Sequence, residues 1–269
     1  MDEGTIIIGA GTGGARTIAH EFQPFLRFDG RTCLEIVLDE VTRTDNSLPI
    51  YVWGHEEALK EVLSPVIARE KDRREIHIVP ERSGPIESLI FTCLESSNGN
   101  DRLGCDAWSM QQALEAPLDP GHCVFYLPSD IPLISHKELD FLMKNAGSDY
   151  DLLMGWSLRN GFEEVMRARK NDRMNIDMSM TKFNFSRFIV NDRLEEARFN
   201  NIYCGRPLKI DSDLYLFIQA LYQNRNLIRK DQRRGKVRKR IDLANFSRLL
   251  KSFAGYVSSR RKESGARVF

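Results

Sequence analysis

Residues 5–32 read TIIIGAGTGGARTIAHEFQPFLRFDGRT, a β-branched apolar run that passes straight into a turn with glycines at 9, 11, 13 and 14. The Gly9-x-Gly11-x-x-Gly14 spacing admits three readings. A dinucleotide turn needs a helix at once, then a second strand with an acidic residue at its end. Here Pro24 stops any helix within ten residues of Gly14, because proline removes a donor and clashes with the preceding turn. A P-loop needs a lysine and a hydroxyl after its last glycine, and Gly14 is followed by Ala15-Arg16. The third reading is a longer loop around a triphosphate. In it, Gly9, Ala10, Gly11, Thr12, Gly13 and Gly14 bring backbone N–H groups onto phosphate oxygens, and Arg16 clamps phosphate charge.

Working outward, T-C-L-E at 32–35 is a capping box. It opens a helix over 33–43 with Leu34, Val37, Leu38 and Val41 on one face. PIYVWG (49–54) reads as a strand, and 55–70 as a helix that Pro65 bends or breaks. EIHIVP (75–80) is a strand, and SGPIESLIFTCLE (83–95) a turn and helix. HCVFYLPSD (122–130) is a buried strand ending in Asp130. SHKELDFLMKN (135–145) is a helix capped by Ser135, and DLLMGWSL (151–158) a further strand. Strands alternating with helices imply a largely parallel sheet with right-handed crossovers. The alternation fades after about residue 160, so 160–200 is expected to be a substrate-side insertion or lid. An amphipathic helix follows at 211–230 and another helix at about 241–258. Residues 225–240 carry nine Lys or Arg against one Asp. That run is a solvated linker or a contact for an anionic surface, membrane or RNA.

The totals exclude other classes. A formal net charge of +1 exerts no global pull on nucleic acid or membrane. The five cysteines include no CxxC pair, which points away from zinc or a disulfide framework and toward a reducing cytoplasm. No apolar run approaches the roughly 20 residues of a membrane-spanning helix, so a soluble cytoplasmic protein is expected.

GAGTGGAR, then Pro24, Gly30 and the helix CLEIVLDEV, resembles the opening of the nucleotidyltransferases that include sugar-1-phosphate pyrophosphorylases and MobA-like guanylyltransferases. SGPIES (83–88), YLPSDIPLIS (126–135) and FNNIYCGRPLKI (199–210) agree with that family in order and spacing, so the resemblance covers about residues 4–215. It implies an α/β, Rossmann-like open mixed, mostly parallel sheet with helices on both faces, of the nucleotide-diphospho-sugar transferase (GT-A) type. Residues 1–225 would be the nucleotidyltransferase domain and 226–269 a basic helical extension. It implies transfer of NMP from an NTP to a phosphorylated acceptor, with release of pyrophosphate and dependence on Mg²⁺ or Mn²⁺. Arg16 and Asp130 would be catalytic, and Asp130 with Asn200 or Asn201 would hold the metal. Ser83 and Gly84 would meet the base, and Arg206 the acceptor phosphate. The family's loop lysine falls at Phe25, and Arg27 is the nearest substitute. A nicotinamide-dependent oxidoreductase and a non-catalytic nucleotide binder are the rivals.

Overall fold

The computed structural model describes residues 4–11, 17–18, 21–97, 122–131, 134–146, 152–158, 186–190 and 193–207. The expectations for Thr12, Gly13, Gly14, Arg16, the 211–230 and 241–258 helices and the basic run at 225–240 lie outside these residues. In chain order the elements begin with β1 (Thr5–Ala10), β2 (Thr17–Ile18), β3 (Glu21–Phe22), a 3-10 turn (Gln23–Phe25), β4 (Arg27–Phe28) and β5 (Arg31–Thr32). Next come α1 (Cys33–Thr42), β6 (Ile50–Gly54), α2 (Glu56–Glu70), β7 (Ile76–Pro80), α3 (Pro85–Ser97) and β8 (Val124–Pro128). The last are α4 (His136–Asn145), β9 (Leu152–Leu158), β10 (Ser186–Val190) and β11 (Arg193–Gly205).

Strand β1 is buried at every position, as its run of isoleucines requires of a strand covered on both faces. It pairs in parallel with β6 on one side and β8 on the other, and β6 pairs in parallel with β7. β11 closes the other side antiparallel to β8, and it also pairs antiparallel with β9 and β10. The sheet is therefore α/β, open and mixed, with a parallel centre. Helices cover both faces. Ile6, Ile8 and Ala10 of β1 pack with Leu34, Val37 and Leu38 of α1, Leu59 and Leu63 of α2, and Leu139 of α4. Ile7 faces the other way, with Tyr51, Trp53, Val79 and Cys93 of α3. The period-2 alternation of β1 thus feeds two separate apolar layers. Among the described residues no helix is long and apolar enough to cross a membrane.

Local chemistry sets the boundaries. Thr32 and Glu35 form the expected capping box: the Thr32 N–H donates to Glu35 Oε2 at 2.7 Å, and the Glu35 N–H to Thr32 Oγ1 at 3.1 Å. Ser135 and Glu138 repeat the motif at α4. Asp29 (φ 51°) and Gly30 (φ 80°) turn β4 into β5, the backbone pattern that an Asp-Gly two-residue hairpin favours. Glu40 Oε2 accepts from the His136 N–H and pairs with its Nδ1, both at 2.9 Å, which joins α1 to α4.

Of the two effects expected of Pro65, a break does not occur: α2 runs continuously from Glu56 to Glu70. Glu61, whose carbonyl loses its partner, and Pro65 itself both lie on the exposed face, while Leu59, Leu63 and Val66 are buried opposite, so the group that proline leaves unpaired is on the solvent side and not in the core. Within 160–200, Ser186–Val190 and the first part of Arg193–Gly205 are strands of the main sheet, and residues 159–185 lie outside the described residues. RLEEARF offers no apolar alternation, so its pairing is dictated by distant partners.

Thr32→Ala should destabilise the protein by roughly 1 kcal/mol, a fall in Tm of about 2–4 °C in thermal unfolding. Burial raises the Glu40 carboxyl pKa, but hydrogen bonds from the His136 side chain and backbone, with the Arg43 charge, outweigh it and hold the group below its ordinary value of 4.5. Its stabilisation is therefore present above pH 4.5 and lost as pH falls through the depressed value. Glu40→Gln should flatten that part of the acid limb of a stability-against-pH curve.

Candidate functional site

The chain builds β6 and β7 to one side of β1, then crosses through α3 and returns with β8 on the other side. The strand order reverses at β1. A crevice outside the carboxyl ends of β1 and β8 follows, because the connections leave in opposite directions there. Two described segments end there: β1 running into Gly11, and Ser129-Asp130 after β8. They are tied directly, since the Ser129 N–H (2.9 Å) and Oγ–H (2.8 Å) both donate to the Gly9 carbonyl. Ser129 is 1% exposed, whereas Asp130, the next residue in the turn, is exposed.

Asp130 also lies beside the start of α1. Cys33, the first residue of that helix, has its thiol pKa raised by burial and then by the Asp130 carboxylate. The carboxylate thus stands near the amino end of α1.

Aromatic rings pack directly against Gly9 and Gly11. A Cβ on Gly9 would lie 2.5 Å from Tyr126 Oη and 2.8 Å from Trp53 Cζ2. A Cβ on Gly11 would collide with Trp53 Cζ3 and lie 2.8 Å from Glu81 Oε1. Glycine is therefore required at 9 and 11 by packing against β6, β7 and β8 on the α3 side of the sheet. Trp53 is 3% exposed, as expected of a core residue.

β11 brings a further pair of polar residues to the same end. Tyr203 pairs with Tyr126 and the strand runs antiparallel to β8, so Asn201 lies two residues further toward β8's carboxyl end. Between Phe199 and Tyr203 the register against β9 shifts, Phe199 facing Trp156 and Tyr203 facing Met154. Asn200 and Asn201 lie within that register shift.

Arg206 is a correction. Gly205 faces Val124, the first residue of β8, which puts Arg206 at the amino end of the sheet, roughly 20 Å along the strand from Asp130. There the Cys123 thiol pKa is drawn down to about 7, by a hydrogen bond from Cys204 and, against burial, by the Arg206 charge. An antiparallel neighbour carries its carboxyl end away from the parallel strands' carboxyl ends, and the sequence did not reveal that direction.

Ser83 and Gly84 precede α3 at the carboxyl end of β7. Ser83 Oγ donates to the Glu87 carboxylate, and the Gly84 carbonyl accepts the Ser88 N–H at 2.9 Å. Both residues belong to the turn that starts the helix, with Pro85 in its first position, where proline fits without loss. Phe25 and Arg27 share no strand: Phe25 ends the 3-10 turn and packs on the core of β1, α1 and α2, whereas Arg27 opens β4. The exposed Arg27 guanidinium donates to the Gly30 carbonyl at 3.0 Å. The described residues after Gly11 form short antiparallel strands and a 3-10 turn rather than the immediate helix a dinucleotide turn needs, and β6 ends in Gly54-His55, with Glu56 already opening α2.

Sequence reasoning missed Ser129, Trp53, Tyr126 and Glu81. The Ser-Asp pair ending an apolar strand was a usable signal for the first; nothing local marked the others.

No family model matches the chain, and no curated protein matches it. Among solved structures, it is similar to the CMP:2-keto-3-deoxy-manno-octonic acid synthetase complexed with CTP, with a TM-score of 0.45 and 10% identity over 81% of this chain and 78% of the other. It is similar also to the 4-diphosphocytidyl-2C-methyl-D-erythritol synthase from Anaerococcus prevotii, with a TM-score of 0.42 and 17% identity over 93% and 82% of the two chains. Likeness of this degree leaves the chemistry to be read from the chain's own residues.

Ser129→Ala removes one of two donors to the Gly9 carbonyl and should destabilise by about 0.5–1.5 kcal/mol in denaturant unfolding. An unchanged midpoint would show that the Oγ bond does not tie the two loops.

Proposed function

We propose that this chain is a nucleotidyltransferase that moves NMP from an NTP to a phosphorylated acceptor, releases pyrophosphate and depends on a divalent ion. The observation that carries the reading is the double hydrogen bond from Ser129 to the Gly9 carbonyl. It sets an exposed carboxylate, Asp130, against a glycine loop at the switch point of an open α/β sheet. A nucleotide fits such a place because strand carboxyl ends and helix amino ends collect there, and both favour phosphate.

In the reaction an acceptor oxygen attacks the α-phosphorus in line. A new P–O bond forms there, the bond to the bridging oxygen breaks, and the electron pair leaves on pyrophosphate. No covalent intermediate on the protein is needed. The residues' task is to position and to balance charge.

Among the described residues no group of three His, Cys, Asp or Glu side chains could hold a metal. One exposed carboxylate suits Mg²⁺ or Mn²⁺ carried mostly by phosphates and water, since Mg²⁺ keeps several waters and takes few protein ligands. Asp130 would hold it, with Asn201 from β11 as the second protein ligand. Such an ion would neutralise charge on the α-phosphate and the acceptor phosphate. Gly9, Ala10, Gly11, Thr12, Gly13 and Gly14 would offer backbone N–H donors to the triphosphate, Arg16 its guanidinium, and Ser83 and Gly84 the edge of the base pocket. Arg27 would leave the Gly30 carbonyl to meet triphosphate charge. Arg206 has no part in this site.

Phe25 favours a second reading, a nucleotide binder without turnover. Its ring lies against the core, so the loop lysine of the resembling family has no counterpart at that position.

Each of the four NTPs should be assayed for pyrophosphate release with candidate phosphorylated acceptors and Mg²⁺ or Mn²⁺, beside thermal shift with the NTP alone. Turnover is expected with at least one pair, and Asp130→Ala should lower it by roughly a hundredfold or more while leaving Tm within about 2 °C, as for an exposed surface site. Stabilisation by an NTP without turnover favours the second reading. Full activity of Asp130→Ala removes that carboxylate from the mechanism.

A further inference from the structure

We propose that Trp53 is a positioning residue for the glycine loop: its indole is the prop on which Gly9–Gly11 rests, and it sets the height of that backbone for phosphate. Its functional consequence rests on the nucleotidyltransferase reading above.

Three observations carry it. First, the atoms of Trp53 facing the loop are Cζ2, Cζ3 and Cη2, the far edge of the six-membered ring. They fill the space that side chains at 9 and 11 would occupy. Second, Trp53 is 3% exposed, yet its Nε1–H meets no acceptor among the described residues. A buried N–H left unpaired opposes folding, so the residue's contribution is the shape of the ring. Third, the two glycines are held differently. The Gly9 site is closed by Tyr126 Oη at 2.5 Å as well as by Trp53, while the Gly11 site is closed by Trp53 and by Glu81 Oε1 at 2.8 Å. At Gly11 the nearest atom is a ring carbon of Trp53, closer than the Glu81 oxygen, and the buried ring cannot yield without disturbing the core, so the indole is the principal obstacle and support.

Loop height matters because hydrogen bonds weaken steeply once donor and acceptor leave their preferred distance and angle. Gly9 is already anchored through its carbonyl to Ser129. Gly11 is beyond that anchor, and the aromatic edge is what sets its level above the sheet.

The test is a mutant cycle read in two ways. Trp53→Phe deletes the three ring atoms that touch the loop and keeps an aromatic core residue. Gly11→Ala adds the methyl group that those atoms exclude. Thermal unfolding without ligand should show Gly11→Ala lowering Tm in the natural background and much less in the Trp53→Phe background. Gly9→Ala should be equally harmful in both, because Tyr126 still blocks it. Dissociation constants for inorganic tripolyphosphate with Mg²⁺ form the second reading. Each single variant should bind at least fivefold more weakly, and the Gly11→Ala/Trp53→Phe double variant should bind better than the product of the two losses by threefold or more. A purely structural tryptophan would move Tm and leave tripolyphosphate affinity unchanged. Additive effects in both readings, or unchanged affinity in Trp53→Phe, would overturn the proposal while leaving the nucleotide reading standing. If the natural protein binds neither tripolyphosphate nor any NTP, the nucleotide reading fails and this role falls with it, although the unfolding cycle would still report the packing contact.

Discussion

A single carbonyl oxygen organises this molecule's working edge. Gly9 ends the buried strand at the centre of the sheet, and its oxygen accepts both the backbone and side-chain protons of Ser129. β1 and β8 are parallel neighbours, and the tie fastens the end of β1 to the start of the Asp130 turn at one edge of the sheet. Burial at Ser129 strengthens the constraint, because a hydrogen bond shielded from water is costly to break.

Below the rim the packing is unusual for a loop offered to a charged ligand. Trp53 and Tyr126 stand under the glycines, and Tyr126 is in turn inclined against Tyr203, with ring centroids 5.8 Å apart. Three strands thus contribute rings to one apolar shelf. Apolar walls lower the local dielectric, so charges placed above them interact more strongly than in water. The same glycines that allow close approach from above are demanded from below by aromatic carbon. Two pressures on one residue type look identical in sequence.

Charge around the rim is distributed by secondary structure rather than by sequence order. Asp130 lies close enough to Cys33, at the amino end of α1, to raise its thiol pKa. Arg27 is folded onto its own hairpin, and Phe25 is turned into the core. Arg206, close to the late motif in sequence, is carried to the opposite end because β11 runs against β8.

Much of the fold was legible beforehand because it rests on local physics. The β-branched run of β1, the Thr32–Glu35 and Ser135–Glu138 boxes, the Asp-Gly turn and the apolar face of α1 are each decided within a few residues. Asp130 at the end of an apolar strand was legible for the same reason. Long-range pairing was not. Ser129 meets Gly9 across 120 residues, and Cys123 lies 3.4 Å from Cys204 across 81. No local pattern encodes such meetings; the strand order and the direction of β11 create them. The sequence alone therefore determined which segments become strands and helices and which residue types reach the loops. Tertiary structure alone decided which loops meet, which glycines are needed for packing and which arginine is excluded, because contact between distant residues is a property of the closed sheet and not of any stretch within it.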